Sequence, residues 1–162
     1  PTWQKVKRQI ETFIGDDDVV GHNIAFDLSF LQANSIYPTG EALDTFHLAT
    51  ILLPTAPQYS LGALCQQLDV PLNNAHRALF DALATAQLFL ALIRVGTQLP
   101  LPVLAAINDL AKGQSWRYRS LFLEMEDEHT AAGALPEDEY VDFWPYVEQH
   151  APAIQRGCAL RR

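Results

Sequence analysis

The sequence predicts an α/β domain followed by a helical extension, and three features of the 162-residue chain support this class. Short apolar segments that suit strands alternate with helical patterns up to Val95, an order typical of helices packed on a sheet. Pro100 and Pro102 then mark a boundary at Gly96–Pro102. Beyond it the patterns are helical only. We therefore expect one domain over residues 1–98 and a helical, acidic extension or interdomain connector over residues 99–162.

The first half of the domain contains two predicted strands, each followed by a helix. An amphipathic helical pattern runs from Trp3 to Ile14, and Val19-Val20 is typical of the end of a buried strand. Asn23 is a candidate cap for a helix over Ile24 to Ala33. A short edge strand near Ala42-Leu43 leads into a helix that runs to Leu53.

The second half and the extension are predicted to be helical. Pro54 and Pro57 break the chain before a short helix over Ser60 to Leu68. Asn73-Asn74 is a turn and capping signal that precedes a long Ala- and Leu-rich helix. The predicted helices of this part are Arg77 to Val95, Val103 to Ala111, Trp116 to Met125 and, after an acidic stretch, Tyr140 to Gln149.

Composition indicates a globular domain, with 49% hydrophobic and 19% charged residues. Neither of the two cysteines suggests a disulfide framework, and Cys65, in an apolar helical stretch, is best interpreted as a buried structural thiol. We find no apolar run that approaches the roughly 20 residues needed to span a bilayer, and no signal sequence. The expectation is a cytoplasmic protein that does not contact membranes.

Two segments carry the candidate catalytic residues: Gly21-His22-Asn23-Ile24-Ala25-Phe26-Asp27 and His76-Arg77-Ala78-Leu79-Phe80-Asp81. Asp27 and Asp81 are candidate ligands of Mg²⁺, which prefers oxygen donors and is held by one or two carboxylates plus substrate phosphates. His76, with a pKa near neutrality, is the candidate general base. Each residue also has an ordinary interpretation, since acids are common in first helical turns and histidines in loops.

Spacing constrains how these residues can meet. His76 and Asp81 are five positions apart, which on a helix separates their directions by about 140°. Both can serve one site only if His76 precedes the helix, as the Asn73-Asn74 turn permits. Asp27 follows a strand-to-helix junction, where open α/β sheets place their ligand sites.

The two segments resemble the second and third motifs of the DnaQ-like 3′–5′ exonucleases of the DEDDh type, a family that includes polymerase proofreading subunits and ribonuclease T. The third motif of that family is a histidine, four residues and an aspartate, as in His76 to Asp81. Asp44-Thr45 and Tyr59-Ser60-Leu61 match stretches that the family often carries between the two motifs. The resemblance covers residues 1 to about 96.

The resemblance implies a ribonuclease H-like exonuclease fold and hydrolysis at nucleic-acid 3′ ends with two divalent ions, Mg²⁺ or Mn²⁺. By it, Asp27 and Asp81 are metal ligands, His76 is the base, and Phe26 packs against a terminal base of the substrate. Asn23 either contacts substrate or caps its helix, and we favour capping. DNA is favoured over RNA as the substrate.

Two further residues have implied or alternative roles near these motifs. Asp44 is expected to be structural, at a strand end or a helix start. Arg77 either reaches a phosphate or is an exposed arginine at a helix start, and the second interpretation is favoured.

The family's first motif, an Asp-x-Glu pair on the first strand, has no counterpart here. Asp16-Asp17-Asp18 is a loop-like acidic run and does not replace it. We therefore expect an N-terminally truncated exonuclease fold, belonging to a longer protein, that lacks half of its metal ligands and is inactive alone.

The net charge of −8 is unusual for a protein that binds nucleic acid. Residues 1–100 hold nine acids and five bases, however, and many of the remaining acids lie between Glu124 and Asp142, where there is no Lys or Arg. An exonuclease needs to hold only a chain end, partly through its metals. The charge therefore argues against long-duplex binding more than against hydrolysis.

The extension resembles, in character and position, the connector that joins an exonuclease domain to a DinG-type helicase. The alternative is an acidic helical docking segment for a partner or a neighbouring helicase or polymerase domain. For the whole chain, the alternative to an enzyme is a non-catalytic, exonuclease-like interaction module.

Overall fold

The computed structural model describes residues 2–72 and 78–132, with the side chains of residues 131 and 132 left aside. The described elements are a pair of short strands and seven helices: α1 (Trp3–Ile14), β1 (Val19–Gly21), α2 (Ala25–Ala33), β2 (Ala42–Asp44), α3 (Thr45–Leu52), α4 (Leu61–Gln67), α5 (Ala78–Thr97), α6 (Leu101–Leu110) and α7 (Arg119–Ala132).

Most predicted elements are confirmed to within two residues, and α1 is confirmed at both ends. The Ser60 hydroxyl caps α4 by accepting a hydrogen bond from the Ala63 amide (3.3 Å). The prediction for α7 was wrong at both ends, because the helix begins at Arg119 and continues beyond Met125. Glutamates are good helix formers, so an acidic composition does not end a helix. The predicted helix over Tyr140 to Gln149 lies outside the described residues, as does Cys158.

The two strands lie side by side and parallel, with Val19 opposite Ala42, Val20 opposite Leu43 and Gly21 opposite Asp44. No third strand pairs with them among residues 2–72 and 78–132. Val20, in the middle of β1, is 39% exposed, although strands of parallel sheets are normally covered on both faces. Both strands end at the same edge, so the loops that follow them are neighbours.

The turn between α1 and β1 explains the acidic run that precedes the first strand. Asp16 accepts a hydrogen bond from the Thr39 hydroxyl (2.9 Å), and Asp18 accepts one from the Glu41 amide (2.7 Å). A Cβ on Gly40 would collide with the backbone of Asp17, so the close approach of the two loops requires glycine there. The run therefore attaches the start of β1 to the start of β2.

The chain divides into two compact units, Pro1–Ala49 with Gln58–Leu92, and Thr50–Pro57 with Ile93–Arg162. The division falls inside α3 and α5, and the assignment of domains at residue 98 stays a prediction. The first unit has an apolar core contributed by β2, α3, α4, α5 and the segments on either side of α2: Ile24, Ile36, Leu43, Leu48, Ala49, Leu64, Cys65, Ala84, Leu88 and Leu92. The expected burial of Cys65 is confirmed, and burial raises the pKa of its thiol.

The second unit is built around the pair of α6 and α7. Its core consists of Leu52, Leu99, Val103, Leu104, Ala111, Tyr118, Phe122 and Met125. Asn108 is also buried, and its amide donates to the Phe122 carbonyl (3.0 Å) and to the Glu126 carboxylate (2.6 Å). This side chain links the two helices by a polar contact within an apolar interface.

The length of α5 corrects one expectation. Ala78–Thr97 has 20 residues and a mean hydropathy of 1.7 over 18 of them, so by length and composition it is long and apolar enough to cross a membrane. The core helices of soluble proteins pass the same test. Within the first unit, α5 buries one side against other elements, through Ala84, Thr85, Leu88 and Leu92.

Candidate active site

The candidate site begins at the edge of the sheet where both strands end. Because Gly21 lies opposite Asp44, the turn after β1 meets the start of α3. Asn23 in this turn has a φ of 57°, a left-handed conformation that asparagine adopts more readily than most residues. A Cβ on Gly21 would lie 2.7 Å from Cγ1 of Ile24. Glycine and asparagine therefore allow the chain to fold back and start α2 directly after the strand.

Asp44 fixes this turn from the neighbouring strand. Its carboxylate is buried (4% exposed) and accepts hydrogen bonds from the amides of Asn23 (2.9 Å), Ile24 (3.2 Å) and Phe46 (2.9 Å). Backbone amides at the start of a helix have no partner within the helix, so an acceptor is needed at that point. The structural role expected for Asp44 is confirmed, and it serves α2 and α3 together.

The expectation that Asn23 caps α2 with its side chain was wrong. The cap position is Ile24, and the Phe26 amide donates to the backbone carbonyl of Asn23 (3.1 Å). The carboxylate of Asp44 comes from another strand and satisfies the amides that precede the helix. Asparagine is a common residue at helix N-caps, which is why Asn23 was expected to cap α2. The parallel pairing of β1 with β2 instead brings the Asp44 carboxylate to these amides, and a charged acceptor forms the stronger hydrogen bond.

His22 is attached to the same junction. Its Nδ1 lies 2.9 Å from Oγ1 of Thr45, and that hydroxyl donates to the Gly21 carbonyl (3.1 Å). The ring also packs edge-on against Phe46. Burial lowers the pKa of His22, partly offset by the charge of Asp44 and by the backbone of Tyr59, so the neutral imidazole is favoured. His22 therefore holds the end of β1 against the start of α3.

A cavity of about 460 Å³ opens beside this junction, within the first unit. Asp27, in the first turn of α2, and Asp81, in the first turn of α5, both line it. The complete described lining is Val20, Gly21, His22, Asp27, Leu61, Ala78, Asp81, Ala82 and Thr85. The structure thus brings together two carboxylates that are 54 positions apart in the sequence.

The two carboxylates suit a hard divalent cation. Mg²⁺ is commonly held by one or two carboxylates, with waters and substrate phosphates completing its coordination, and Mn²⁺ accepts the same oxygen donors. Asp27 is exposed and Asp81 half-buried, so substrate oxygens would have access. Each also lies in a first helical turn, where the helix dipole favours negative charge. Within the described part of the chain no cluster of three or more His, Cys, Asp or Glu could hold a metal.

The other predicted site residues are not all brought to the cavity. Phe26 is 78% exposed and, like Asn23, is absent from the described lining. His76 and Arg77 lie outside the described residues, so their roles stay predictions. Ala78, two positions after His76, does line the cavity.

Two polar lining residues, His22 and Thr85, were missed by the sequence analysis. His22 was considered only as part of a motif, and its contact with Thr45 depends on the register of two strands. Thr85 is four positions after Asp81 on α5, a spacing that places side chains on the same face of a helix. The i+4 spacing from Asp81 could therefore have predicted Thr85 as a lining residue. No local sequence pattern could have predicted the contact of His22 with Thr45.

Comparison with known proteins assigns the family. A family model described as "Exonuclease" matches residues 1–89, more than half of the chain. The 3′-5′ exonuclease DinG of Staphylococcus saprophyticus is 30% identical over 169 aligned positions, covering 99% of this chain and 19% of that protein. The PolC-type DNA polymerase III of Halalkalibacterium halodurans is 33% identical over 125 positions, covering 74% of this chain and 9% of that protein.

A third relative, the 3′-5′ exonuclease DinG of Staphylococcus haemolyticus, is 32% identical over 134 positions, 80% of this chain and 15% of that protein. The chain thus spans less than a fifth of the length of these relatives. No solved structure gives a significant match. The match of the family model over the segment that contains β1, β2 and both cavity aspartates shows that this chain belongs to the exonuclease family, of the DnaQ-like type.

Proposed function

We propose that this chain is the core of a 3′–5′ exonuclease that hydrolyses the terminal phosphodiester of a nucleic-acid strand. The observation that carries the proposal is the convergence of Asp27 and Asp81 on one cavity at the carboxyl edge of a parallel sheet. This is where α/β folds place ligands. The names of the relatives, 3′-5′ exonuclease DinG and PolC-type DNA polymerase III, support the same activity with DNA as the substrate.

Asp27 and Asp81 are the proposed metal ligands. Mg²⁺ or Mn²⁺ held by them would neutralise the charge of the phosphodiester and activate the attacking water. In the proposed reaction water attacks phosphorus, the bond between phosphorus and the 3′ oxygen breaks, and a nucleoside 5′-monophosphate leaves. His76 accepts the proton of the water, and Asn23 and Phe26 contact the terminal nucleotide.

The remaining ligands are proposed to come from an Asp-x-Glu pair on a strand outside this chain. The pairing of β1 supports a further strand beside it. Within residues 2–72 and 78–132, β1 pairs only with β2, so its other edge has no partner in this part of the chain. A longer protein with a helicase or polymerase domain, joined through the acidic extension, fits the small share of the relatives that this chain spans.

The test is digestion of a 5′-labelled single-stranded oligonucleotide with Mg²⁺ or Mn²⁺, using this chain and the chain extended upstream in its gene. We expect the extended protein to produce a ladder that shortens from the 3′ end. Asp81→Asn should slow it by more than about a hundredfold, since even outer-shell partners of metal ligands are worth 10–100-fold.

Asp69→Asn is the matched control, because Asp69 is an exposed acid with a φ of 53°, a conformation that asparagine tolerates. It should digest at the unmodified rate. If the folded extended protein forms no ladder with either metal, the chain is an exonuclease-like interaction module and the proposal fails. An unchanged rate for Asp81→Asn would remove Asp81 from the site.

A further inference from the structure

The positive charge of the first unit is confined to one helix. Among its described residues every lysine and arginine lies on α1, namely Lys5, Lys7 and Arg8. In the same residues there are nine acids, only one of which, Glu11, lies on α1. A protein that binds a phosphate backbone needs such cations, because neutralising phosphates and releasing their counterions supplies much of the affinity. In the described part of this unit only α1 offers them.

The basic residues of α1 lie on two different faces. Lys7 forms an ion pair with Glu11 (3.7 Å), one turn further along the helix. Lys5 and Arg8 have no ion pair within the described residues. They line one surface depression together with Thr2, Gln4, Gln9, Thr12 and Phe13. The spacing of Lys5, Arg8, Gln9 and Thr12 is that of one continuous helical face.

This face also presents an aromatic ring. Phe13 is 89% exposed, the highest value among the exposed large apolar side chains of the described chain. No side chain of α1 is fully buried, and its apolar side is formed by Val6, Ile10 and Ile14 instead. An unstacked aromatic ring beside free cations is the combination by which proteins bind single-stranded nucleic acid without sequence preference.

Along the chain, α1 directly precedes β1, and the last two residues of β1, Val20 and Gly21, line the cavity. The chain reverses over Gly15 to Asp18, where Gly15 has a φ of 54° and the Asp17 amide donates to the Ile14 carbonyl (3.2 Å). From there β1 runs about 10 Å toward Gly21. Lys5 and Arg8 lie roughly 9–14 Å back along α1 from Ile14. An α1 that runs antiparallel to β1 would therefore bring Lys5 and Arg8 level with the end of β1 that lines the cavity.

We propose that Lys5, Arg8 and Phe13 form a strand-binding surface for the single-stranded nucleic acid that leads to the 3′ end in the cavity. This proposal rests on the proposed function. Lys5 and Arg8 would contact phosphates, and Phe13 would stack on a base. An acidic polypeptide could also satisfy the two cations, but a single strand supplies a phosphate and a stacking base at every nucleotide, so nucleic acid is the favoured partner.

The test measures the affinity of this chain for fluorescein-labelled oligothymidylate by anisotropy, with EDTA present to prevent hydrolysis. A 15-mer and a trimer are compared over a range of salt concentrations. Removing both charges in Lys5→Gln/Arg8→Gln should weaken 15-mer binding about tenfold at low salt and reduce the slope of log affinity against log salt by about 1.4, since each phosphate contact on a single strand contributes roughly 0.7. Trimer binding should not change.

Two further variants make the test specific. Arg94→Gln/Lys112→Gln removes the same charge from exposed residues of the second unit and should leave the slope unchanged. Phe13→Ala should weaken 15-mer binding about fivefold without altering the slope, because stacking releases no counterions.

Equal slopes for Lys5→Gln/Arg8→Gln and its control would overturn the proposal, as would failure of the unmodified chain to bind the 15-mer. Poly-glutamate binding is measured in parallel. If Lys5→Gln/Arg8→Gln weakens the binding of poly-glutamate but not of the 15-mer, the partner is an acidic protein and the proposal is overturned. The proposed function is judged separately, by Asp81-dependent digestion. If the salt slope changes in Lys5→Gln/Arg8→Gln but the extended protein does not digest the oligonucleotide, the strand-binding surface stands and the proposed exonuclease activity fails. If the extended protein digests it but the slope does not change, the activity stands and the strand-binding surface fails.

Discussion

At the residue scale, Asp44 accepts hydrogen bonds from three backbone amides, two in the turn before α2 and one in α3. It is absent from the described cavity lining, yet it fixes the turn that leads to Asp27. A buried acceptor with three donors is costly to remove, because each donor loses its partner without regaining water. The position of Asp27 therefore depends on a carboxylate with no direct part in the proposed chemistry.

Asp44→Asn should destabilise the chain by about 2–3 kcal/mol, since one oxygen becomes an amide donor that faces backbone N–H groups. Urea denaturation followed by circular dichroism measures this loss. Asp16→Asn, which affects an exposed hydrogen bond to Thr39, should cost less than about 1 kcal/mol. Equal midpoints for Asp44→Asn and the unmodified chain would show that the amides find other acceptors.

His22 gives the fold a dependence on pH. Burial lowers its pKa below the unfolded value of 6.5, so the unfolded chain binds more protons between the two values and stability rises with pH in that window. We expect the urea midpoint to fall as the pH drops from 6.5 toward the folded pKa, with no further fall from His22 at lower pH, and to lose this contribution in His22→Gln. The same fall in both proteins would assign the dependence to other groups.

At the scale of elements, the bounds of α1 to α6 followed from periodicity, prolines and caps, because these signals are local. The cap of α2 was not predictable, since its acceptor, Asp44, lies 20 positions beyond Ile24 and reaches it only through the parallel register. The pairing of Asp27 with Asp81 was expected from family resemblance alone. The spacing of His76 and Asp81 predicted only that His76 precedes α5. This stays a prediction, because His76 lies outside the described residues.

Two glycines in different elements should respond to alanine with opposite signs. At Gly21 a Cβ would lie 2.7 Å from Cγ1 and 2.8 Å from Cβ of Ile24, so β1 or α2 must shift, at about 1–3 kcal/mol. At Gly62 in α4 a Cβ would meet Cδ2 of Leu72 at 3.7 Å, an ordinary contact. Gly62→Ala should stabilise by about 0.5–1 kcal/mol through helix propensity. Thermal denaturation of both variants checks this, and destabilisation by Gly62→Ala would contradict it.

The two sides of α5 should also differ. Leu88 is fully buried and Leu90 is 54% exposed, so Leu88→Ala should cost about 2–5 kcal/mol and Leu90→Ala less than about 1 kcal/mol. Urea denaturation compares them. A larger loss of unfolding free energy for Leu90→Ala than for Leu88→Ala would contradict this, because it would mean that the Leu90 side of α5 is the buried one.

At the scale of the whole molecule, positive and negative charges are unevenly distributed along the described chain. Described residues of the first unit hold their only lysines and arginines on α1, while α7 carries Glu124, Glu126, Asp127 and Glu128. With nine acids and three bases among its described residues, the first unit is acidic as a whole, and α1 is its one basic element. The acidic extension stays a prediction from composition. The ion pair of Lys7 with Glu11, which leaves Lys5 and Arg8 without an ion pair among the described residues, is seen only in the structure.

Asp27 and Asp81 are proposed to hold the same metal ion, and Mn²⁺ binding by this chain, followed by electron paramagnetic resonance, measures whether they do. We expect Asp27→Asn and Asp81→Asn each to weaken binding, and the double variant to lose less than the sum of the two, because residues that share a partner are not additive. Asp69→Asn should bind Mn²⁺ like the unmodified chain. Unchanged binding in either cavity variant, or losses that simply add, would contradict a shared site.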